Sequence, residues 1–311
     1  MAAWLEQIVS EESLLLPGHS ACAGCGPAIN IRHVLGGLAS AAPESKIVLV
    51  IPASCWTIIA GVFPVDAFGV SVHLTPFASA AAEASGIKAA LRLRGLGDTN
   101  VVVWGGDGST SDIGFSVVSA AAERNEDIIY VLNDNEAYMN TGVQKSGATP
   151  EGAWTTTTPT RSPKAGQKKD IARIMAAHGI PYLATLAVGS VPMLRDFRAK
   201  VARAAEVRGF RFLHILGGCP PGWRYPTAQS VEIARLAVES RYFPLFECDD
   251  GEWRITFRPK HTLPVSEFLA TQGRFSHLSS KEIDSIQAHV DERWNLLAGL
   301  ESQGPRSRTR I

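Results

Sequence analysis

The stretch Asn100-Val-Val-Val-Trp-Gly-Gly-Asp-Gly108 is a short apolar run that ends in a glycine turn, and 25 residues further on (109–133) a second apolar run ends in Asp134-Asn135. One strand thus delivers Asp107 into a turn at a helix start, and the next delivers an amide oxygen beside it. Ligands of open α/β sheets gather at such carboxyl ends of strands. Glycines let the backbone approach a phosphate, and a helix N-terminus offers it free amides. Magnesium takes oxygen ligands in near-octahedral geometry and commonly bridges carboxylates to phosphates. Gly106, Asp107, Gly108 and Asn135 therefore make a candidate phosphate and magnesium site. Gly-Asp-Gly alone is an ordinary turn; the strand, the spacing and the Asp-Asn ending carry the reading.

Outward from this pair the pattern repeats. Apolar or β-branched runs at 46–51, 100–104, 127–132, 182–187 and 210–216 read as strands, and 79–94, 113–124, 170–178 and 191–207 as helices. That alternation predicts a doubly wound α/β domain with a mostly parallel sheet over residues 1–240. The stretch 142–169 is rich in Thr, Pro, Gly and Lys without apolar periodicity, the mark of a functional or mobile loop. Beyond 240 the pattern changes. Runs at 245–248 and 253–257 around Asp249-Asp250-Gly251 predict a β-hairpin, followed by a charged helix at 280–300 and a basic tail, 306–310, expected to be disordered. Residues 241–311 are read as a C-terminal extension.

The 311 residues carry 30 basic and 30 acidic side chains and are 45% hydrophobic, enough for a sizeable core. Zero net charge argues against a nucleic-acid or anionic-membrane partner. No apolar run approaches the ~20 residues of a membrane helix. Glu6, Glu11 and Glu12 stand where a secretory signal would be basic and apolar, so a cytoplasmic location is expected. Five cysteines are too few for a disulfide scaffold and odd in number. Cys22 and Cys25 form a Cys-x-x-Cys, Cys55 follows a strand and Cys219 opens a Cys-Pro-Pro-Gly turn, whereas Cys248 stands apart as a small apolar residue. On spacing alone, four thiolates serve a 4Fe-4S cluster and a structural zinc equally. Among the histidines, His178 and His214 read as capping or core residues and His19 as a loop residue without a visible partner.

The motifs resemble a known family. Gly106-Asp107-Gly108 with Asn135 is similar to the thiamine diphosphate motif, and Asp134-Asn-Glu-Ala-Tyr-Met-Asn-Thr-Gly142 resembles the 2-oxoacid:ferredoxin oxidoreductases, most closely the separate β subunit of the pyruvate type. Gly18-His-Ser-Ala-Cys-Ala-Gly-Cys-Gly26, Ala153-Trp-Thr-Thr-Thr-Thr-Pro159, Ala177-His-Gly-Ile-Pro-Tyr182 and Cys219-Pro-Pro-Gly-Trp-Arg224 extend the likeness from about residue 17 to 224. The resemblance implies a thiamine diphosphate-binding fold, with Mg²⁺ on the side chains of Asp107 and Asn135 and the carbonyl of Ala137. Gly108 and Ser109 would meet the diphosphate through backbone amides, and Asp112 and Asn140 would lie near the thiazolium ring and substrate. Cys22, Cys25, Cys55 and Cys219 would bind a 4Fe-4S cluster. Thr155 to Thr158 would lie over the active site. The implied reaction is oxidative decarboxylation of pyruvate, with electrons passed singly through the cluster to ferredoxin. The implied partners are an α subunit, which supplies the glutamate that activates the cofactor, and ferredoxin-like or γ/δ subunits. The chain alone is then expected to be inactive.

Pro27, Ser54, Ala78-Ser79 and Phe115 depart from the residues usual in that family. Phe115 stands three residues after Asp112 on the expected helix, a spacing that puts both on one face. Filling substrate space there would favour oxalate over pyruvate, which makes an oxalate oxidoreductase without coenzyme A an alternative. A non-catalytic thiamine-binding or electron-transfer subunit, and a non-redox thiamine protein with structural zinc, are readings of other classes.

Overall fold

The computed structural model describes residues 3–61 and 66–304; the tail at 306–310 lies outside them. Among the described residues eight strands form one sheet: β1 (Ile47–Pro52), β2 (Ser71–Thr75), β3 (Asn100–Gly106), β4 (Ile129–Asp134), β5 (Tyr182–Leu186), β6 (Arg211–Leu216), β7 (Phe246–Asp249) and β8 (Glu252–Ile255). Their order is β2-β1-β3-β4-β6-β5-β7-β8. The first six run parallel, with Val103 opposite Tyr130 and Leu132 opposite His214, and β7 joins β5 antiparallel with Cys248 opposite Leu183. The hairpin expected beyond residue 240 therefore continues the main sheet.

The strands are apolar on both faces because helices cover both. Val102 and Trp104 of β3 face the helices Gly26–Ala41 and Val191–Glu206, while Val101 and Val103 face Ala80–Leu93 and Phe115–Glu123. Each such Val or Ile, fully buried, contributes roughly 1.5–3 kcal/mol. Ala80, Ala81 and Ala84 are buried, and their small side chains let that helix lie close on the sheet. The C-terminal helix Ser280–Ser302 starts in a capping box between Ser279 and Glu282 and spends Trp294 and Leu297 on the same core as β4. Among the described residues no helix is long and apolar enough to cross a membrane.

Topology fixes where a ligand can sit. The chain leaves β1 toward β2 on one side and leaves β3 toward β4 on the other, so the carboxyl ends of β1 and β3 bracket a crevice. Ala53-Ser54-Cys55 follows β1, Asp107 follows β3, Asn135 follows β4 and Gly217-Gly218-Cys219 follows β6. All four segments emerge at one edge of the sheet.

Candidate active site

At that edge lies a cavity of about 260 Å³. Gly106 to Ser109, Asn135, Ala137 and Asn140 line one part of it, and Cys22, Cys25, Cys55 and Cys219 another. Of the thirteen expected site residues, these eleven meet in one space; Asp112 and Phe115 do not line it.

β3 ends at Gly106, and a short helix, Asp107–Ser111, starts there. The hydroxyls of Ser109 and Thr110 donate back to the Gly106 carbonyl at 3.0 and 2.7 Å, which pins the turn. Amides in the first turn of a helix have no partner within it. Gly108 has no room for a side chain, since a Cβ there would lie 2.2 Å from Cε1 of Tyr138.

Asp107 is 1% exposed. Burial, and then the neighbouring carboxylates Asp134 and Glu136, push its carboxyl well above the usual range. Its contacts are the hydroxyl of Ser146, which donates to Oδ2, and the tip of the Asn135 side chain, 3.0 Å from Oδ1 and 2.8 Å from the Ala137 carbonyl oxygen. With nitrogen at that tip the amide donates to both. With oxygen there, the separations match the roughly 2.9 Å edge of an octahedron whose metal–oxygen bonds are about 2.0–2.1 Å. Asp107, Asn135 and Ala137 could thus hold a cation of magnesium's size, and a buried carboxylate under such strain gains from one.

Behind this triad lies a buried polar network that the sequence did not reveal. Asp134 bonds His214 Nε2 at 2.8 Å and accepts from the Glu136 amide at 2.9 Å. Burial pushes its carboxyl up, but Lys168 and His214 outweigh this and hold it below the usual range. Glu136, with φ of 64°, accepts from Lys168 at 2.6 Å, Tyr242 at 2.9 Å and Arg274 at 2.6 Å. Three charged or phenolic donors thus hold a residue in the left-handed region, which turns the Asn135 and Ala137 oxygens toward Asp107.

The loop 142–169 packs against the residues behind the cavity, with Ser146, Thr149 and Thr155 buried, Ser146 donating to Asp107 and Thr149 to the Glu136 carbonyl. Asp112 anchors it. Burial raises the Asp112 carboxyl, but donors from Gly147 (2.8 Å), Lys169 (3.0 Å) and Tyr138 (2.8 Å) outweigh that and hold it below the usual range. The carboxylate braces the loop and does not line the cavity. Thr156 likewise bonds Val143 and Gly142, bracing the loop rather than lining the cavity. The face expected for Asp112 and Phe115 is not formed, because the backbone breaks at Asp112 (φ −120°, ψ −98°) and a new helix starts at Phe115. Phe115 is half-buried against the core beneath that helix, with Val118 and Ala122.

The cysteines approach from three segments. Cys25 N–H donates to Cys22 O at 3.1 Å, and Gly26 N–H to Gly218 O at 3.0 Å, so the Cys22 turn docks on the Cys219 loop. Burial, with the other thiols adding to it, pushes Cys25 up to about 12 and Cys219 up to about 11, and it raises Cys55. Among the described residues no three His, Cys, Asp or Glu side chains are grouped as ligands of a single metal ion. Cys248 is buried on β7 and is not part of the cavity wall. His19 does have partners, the Ala21 amide at 3.3 Å and Arg32 at 3.2 Å. His178 bonds Ser119 and the Ile174 carbonyl at its helix end, the capping role expected.

Residues 58–215 match the family described as "Thiamine pyrophosphate enzyme, C-terminal TPP binding domain". The ketoisovalerate oxidoreductase subunit VorB of Pyrococcus furiosus is 43% identical over 293 residues, 91% of this chain and 92% of that protein. The pyruvate synthase subunit PorB of Methanocaldococcus jannaschii is 44% identical over 296 residues, 92% of this chain and 97% of that protein. A solved 2-oxoglutarate:ferredoxin oxidoreductase from Magnetococcus marinus shares the fold, with a TM-score of 0.56 and 22% identity over 70% of this chain and 77% of that one. With its thiamine diphosphate-binding fold and these relatives, the chain belongs to the 2-oxoacid:ferredoxin oxidoreductases, as a subunit of the kind that carries the thiamine site.

Proposed function

We propose that this chain is the β subunit of a complex that oxidatively decarboxylates a small aliphatic 2-oxoacid and passes the electrons through a 4Fe-4S cluster to ferredoxin. The observation that carries the reading is that the Asp107, Asn135 and Ala137 oxygens and the four cysteines wall one cavity. Bound thiamine diphosphate supplies the carbanion chemistry by which a 2-oxoacid loses carbon dioxide. The side chains of Asp107 and Asn135 and the carbonyl of Ala137 would hold Mg²⁺, and the Gly108 and Ser109 amides would meet the diphosphate. Asn140, exposed at the rim, would face substrate, and Asp112 would hold Tyr138 and the 142–169 loop in place.

Cys22, Cys25, Cys55 and Cys219 would hold the cluster. The four cysteines face the same cavity as the thiamine site, where a redox cluster could accept electrons and a structural zinc could not. Among the described residues no lysine, arginine or histidine lines the cavity, and Asp107 is its one carboxylate. A proton-transfer group and a cation for the substrate carboxylate would therefore come from an α subunit. The same wall, with Ile59, Phe77 and Met139, favours an aliphatic substrate over oxalate, whose second carboxylate would want a further cation.

The test is substrate profiling of the assembled complex with pyruvate, 2-ketoisovalerate and oxalate, each with and without coenzyme A. Coenzyme A-dependent ferredoxin reduction with either of the first two is expected. Activity confined to oxalate without coenzyme A would establish the alternative, and a zinc-loaded complex without visible absorption would refute electron transfer through this chain.

A further inference from the structure

Trp223 is fully buried and closes the short helix Pro220–Trp223 that follows Cys219, its own amide donating to the Cys219 carbonyl at 2.8 Å. Its indole Nε1–H crosses to the other half of the site and donates to the Asn135 carbonyl at 2.8 Å. The Arg274 guanidinium lies 3.9 Å from the centre of the Trp223 ring and is 2% exposed, and it donates to Glu136 at 2.6 Å and to Gln272 at 2.9 Å. One indole is thus fastened to the Cys219 turn at its backbone and to the Asn135 loop at its ring. A single arginine from the C-terminal extension clamps both the ring and the Asn135 loop. Because the indole occupies the Asn135 carbonyl, that residue's side chain and the Ala137 carbonyl are the oxygens left to face Asp107.

We propose that Trp223, clamped by Arg274, is a positioning residue that fixes the cysteine nest relative to the thiamine diphosphate site. The inference rests on the function proposed above and deepens it: the two halves of the electron path are held in register by one side chain. Losing the indole donor leaves the half-buried Asn135 carbonyl without that partner, in the loop that would hold the metal. The same loss frees the Cys219 turn, and the potential of an iron-sulfur cluster depends on the hydrogen bonds and solvent around its ligands.

The test is Trp223→Phe in the anaerobically assembled complex, which keeps an aromatic face for Arg274 and removes the N–H. Affinity for Mg²⁺–thiamine diphosphate, read by calorimetry, should fall about five- to thirtyfold, and the paramagnetic resonance spectrum of the reduced cluster should shift. Arg274→Lys, which keeps the charge beside Glu136 and loses the flat stack, should move both readouts the same way. Phe197→Leu, a core change under the opposite helix, should lower the melting temperature and leave both readouts alone. Wild-type affinity with an unshifted spectrum in Trp223→Phe and Arg274→Lys would overturn the bridge while the function stands. Equal losses in Phe197→Leu would also overturn it. A wild-type complex without bound thiamine diphosphate or iron would overturn the underlying function, and the bridge with it.

Discussion

Gly108→Ala adds one methyl group where the cofactor loop passes under an aromatic ring. The new Cβ would lie 2.2 Å from Cε1, 2.5 Å from Cδ1 and 2.8 Å from Cζ of Tyr138, whereas ordinary contact begins near 3.4 Å. Something must move by more than an ångström. The ring is poorly placed to yield, because its hydroxyl donates to Asp112 at 2.8 Å, Asp112 is held by Gly147 and Lys169, and Phe77 stands 5.9 Å from the ring centre. Overpacking of this kind costs about 1–3 kcal/mol. The strain falls on the turn that receives the diphosphate, so the affinity of the assembled complex for Mg²⁺–thiamine diphosphate should fall roughly 5- to 150-fold by calorimetry. Removing the obstacle supplies the control. In a Tyr138→Ala background the same glycine change should cost less than about 0.5 kcal/mol, a coupling expected only between residues in contact. Equal losses in both backgrounds, or no loss in the wild-type background, would refute the close approach as the reason for glycine.

Cys219→Ser should remove iron and sulfide from this chain, whereas Cys248→Ser, a change on β7 outside the cavity, should retain both in anaerobic metal analysis. Asp127 is 5% exposed and bonded to Lys88 (3.1 Å) and Arg211; burial raises its carboxyl, but these cations outweigh that and bring it down to about 2. Its stabilising effect is therefore full above the unfolded value near 3.9 and lost as the pH falls through about 2. Asp127→Asn should cost about 3–5 kcal/mol near pH 7 by leaving buried cations unpaired, and the gap between the melting temperatures of wild type and variant should narrow between about pH 4 and pH 2. Phe115→Leu should leave the ratio of catalytic efficiencies for pyruvate and oxalate unchanged, since Phe115 packs on the core under its helix; a shift toward pyruvate would restore it to the substrate pocket.

The parallel strands were legible because burial on both faces demands unbroken β-branched runs such as Val101-Val102-Val103. β2 was not, because Ser71–Thr75 is an edge strand with most of its side chains exposed and so lacks an apolar pattern. The helix Gly26–Ala41 was hidden by Gly36 and Gly37 in its interior, which weaken a helical signal. That Asp107, Asn135 and the four cysteines share one cavity could be anticipated, because Asp107, Asn135, Cys55 and Cys219 follow strands whose carboxyl ends meet and Cys22 and Cys25 form a close pair. Ser146, Trp223 and Arg274 could not, since their partners lie 39, 88 and 138 residues away and only the folded chain brings them together. Phe115 was misplaced by a continuous helix that Asp112 in fact interrupts.

The central claim is that the thiamine site and the cysteines of this chain form one electron path. Its most direct test is a single-turnover experiment: the anaerobic complex is mixed with pyruvate or 2-ketoisovalerate, frozen, and the reduced-cluster signal is read by paramagnetic resonance. The account predicts a substrate-generated signal in wild type and its loss in Cys219→Ser. In Asp107→Asn it predicts no signal with substrate but a normal one with dithionite, because the cluster is intact and only the metal's charged ligand is gone. A substrate-generated signal of wild-type size from this chain's cluster in Asp107→Asn, or no change on replacing Cys219, would contradict it.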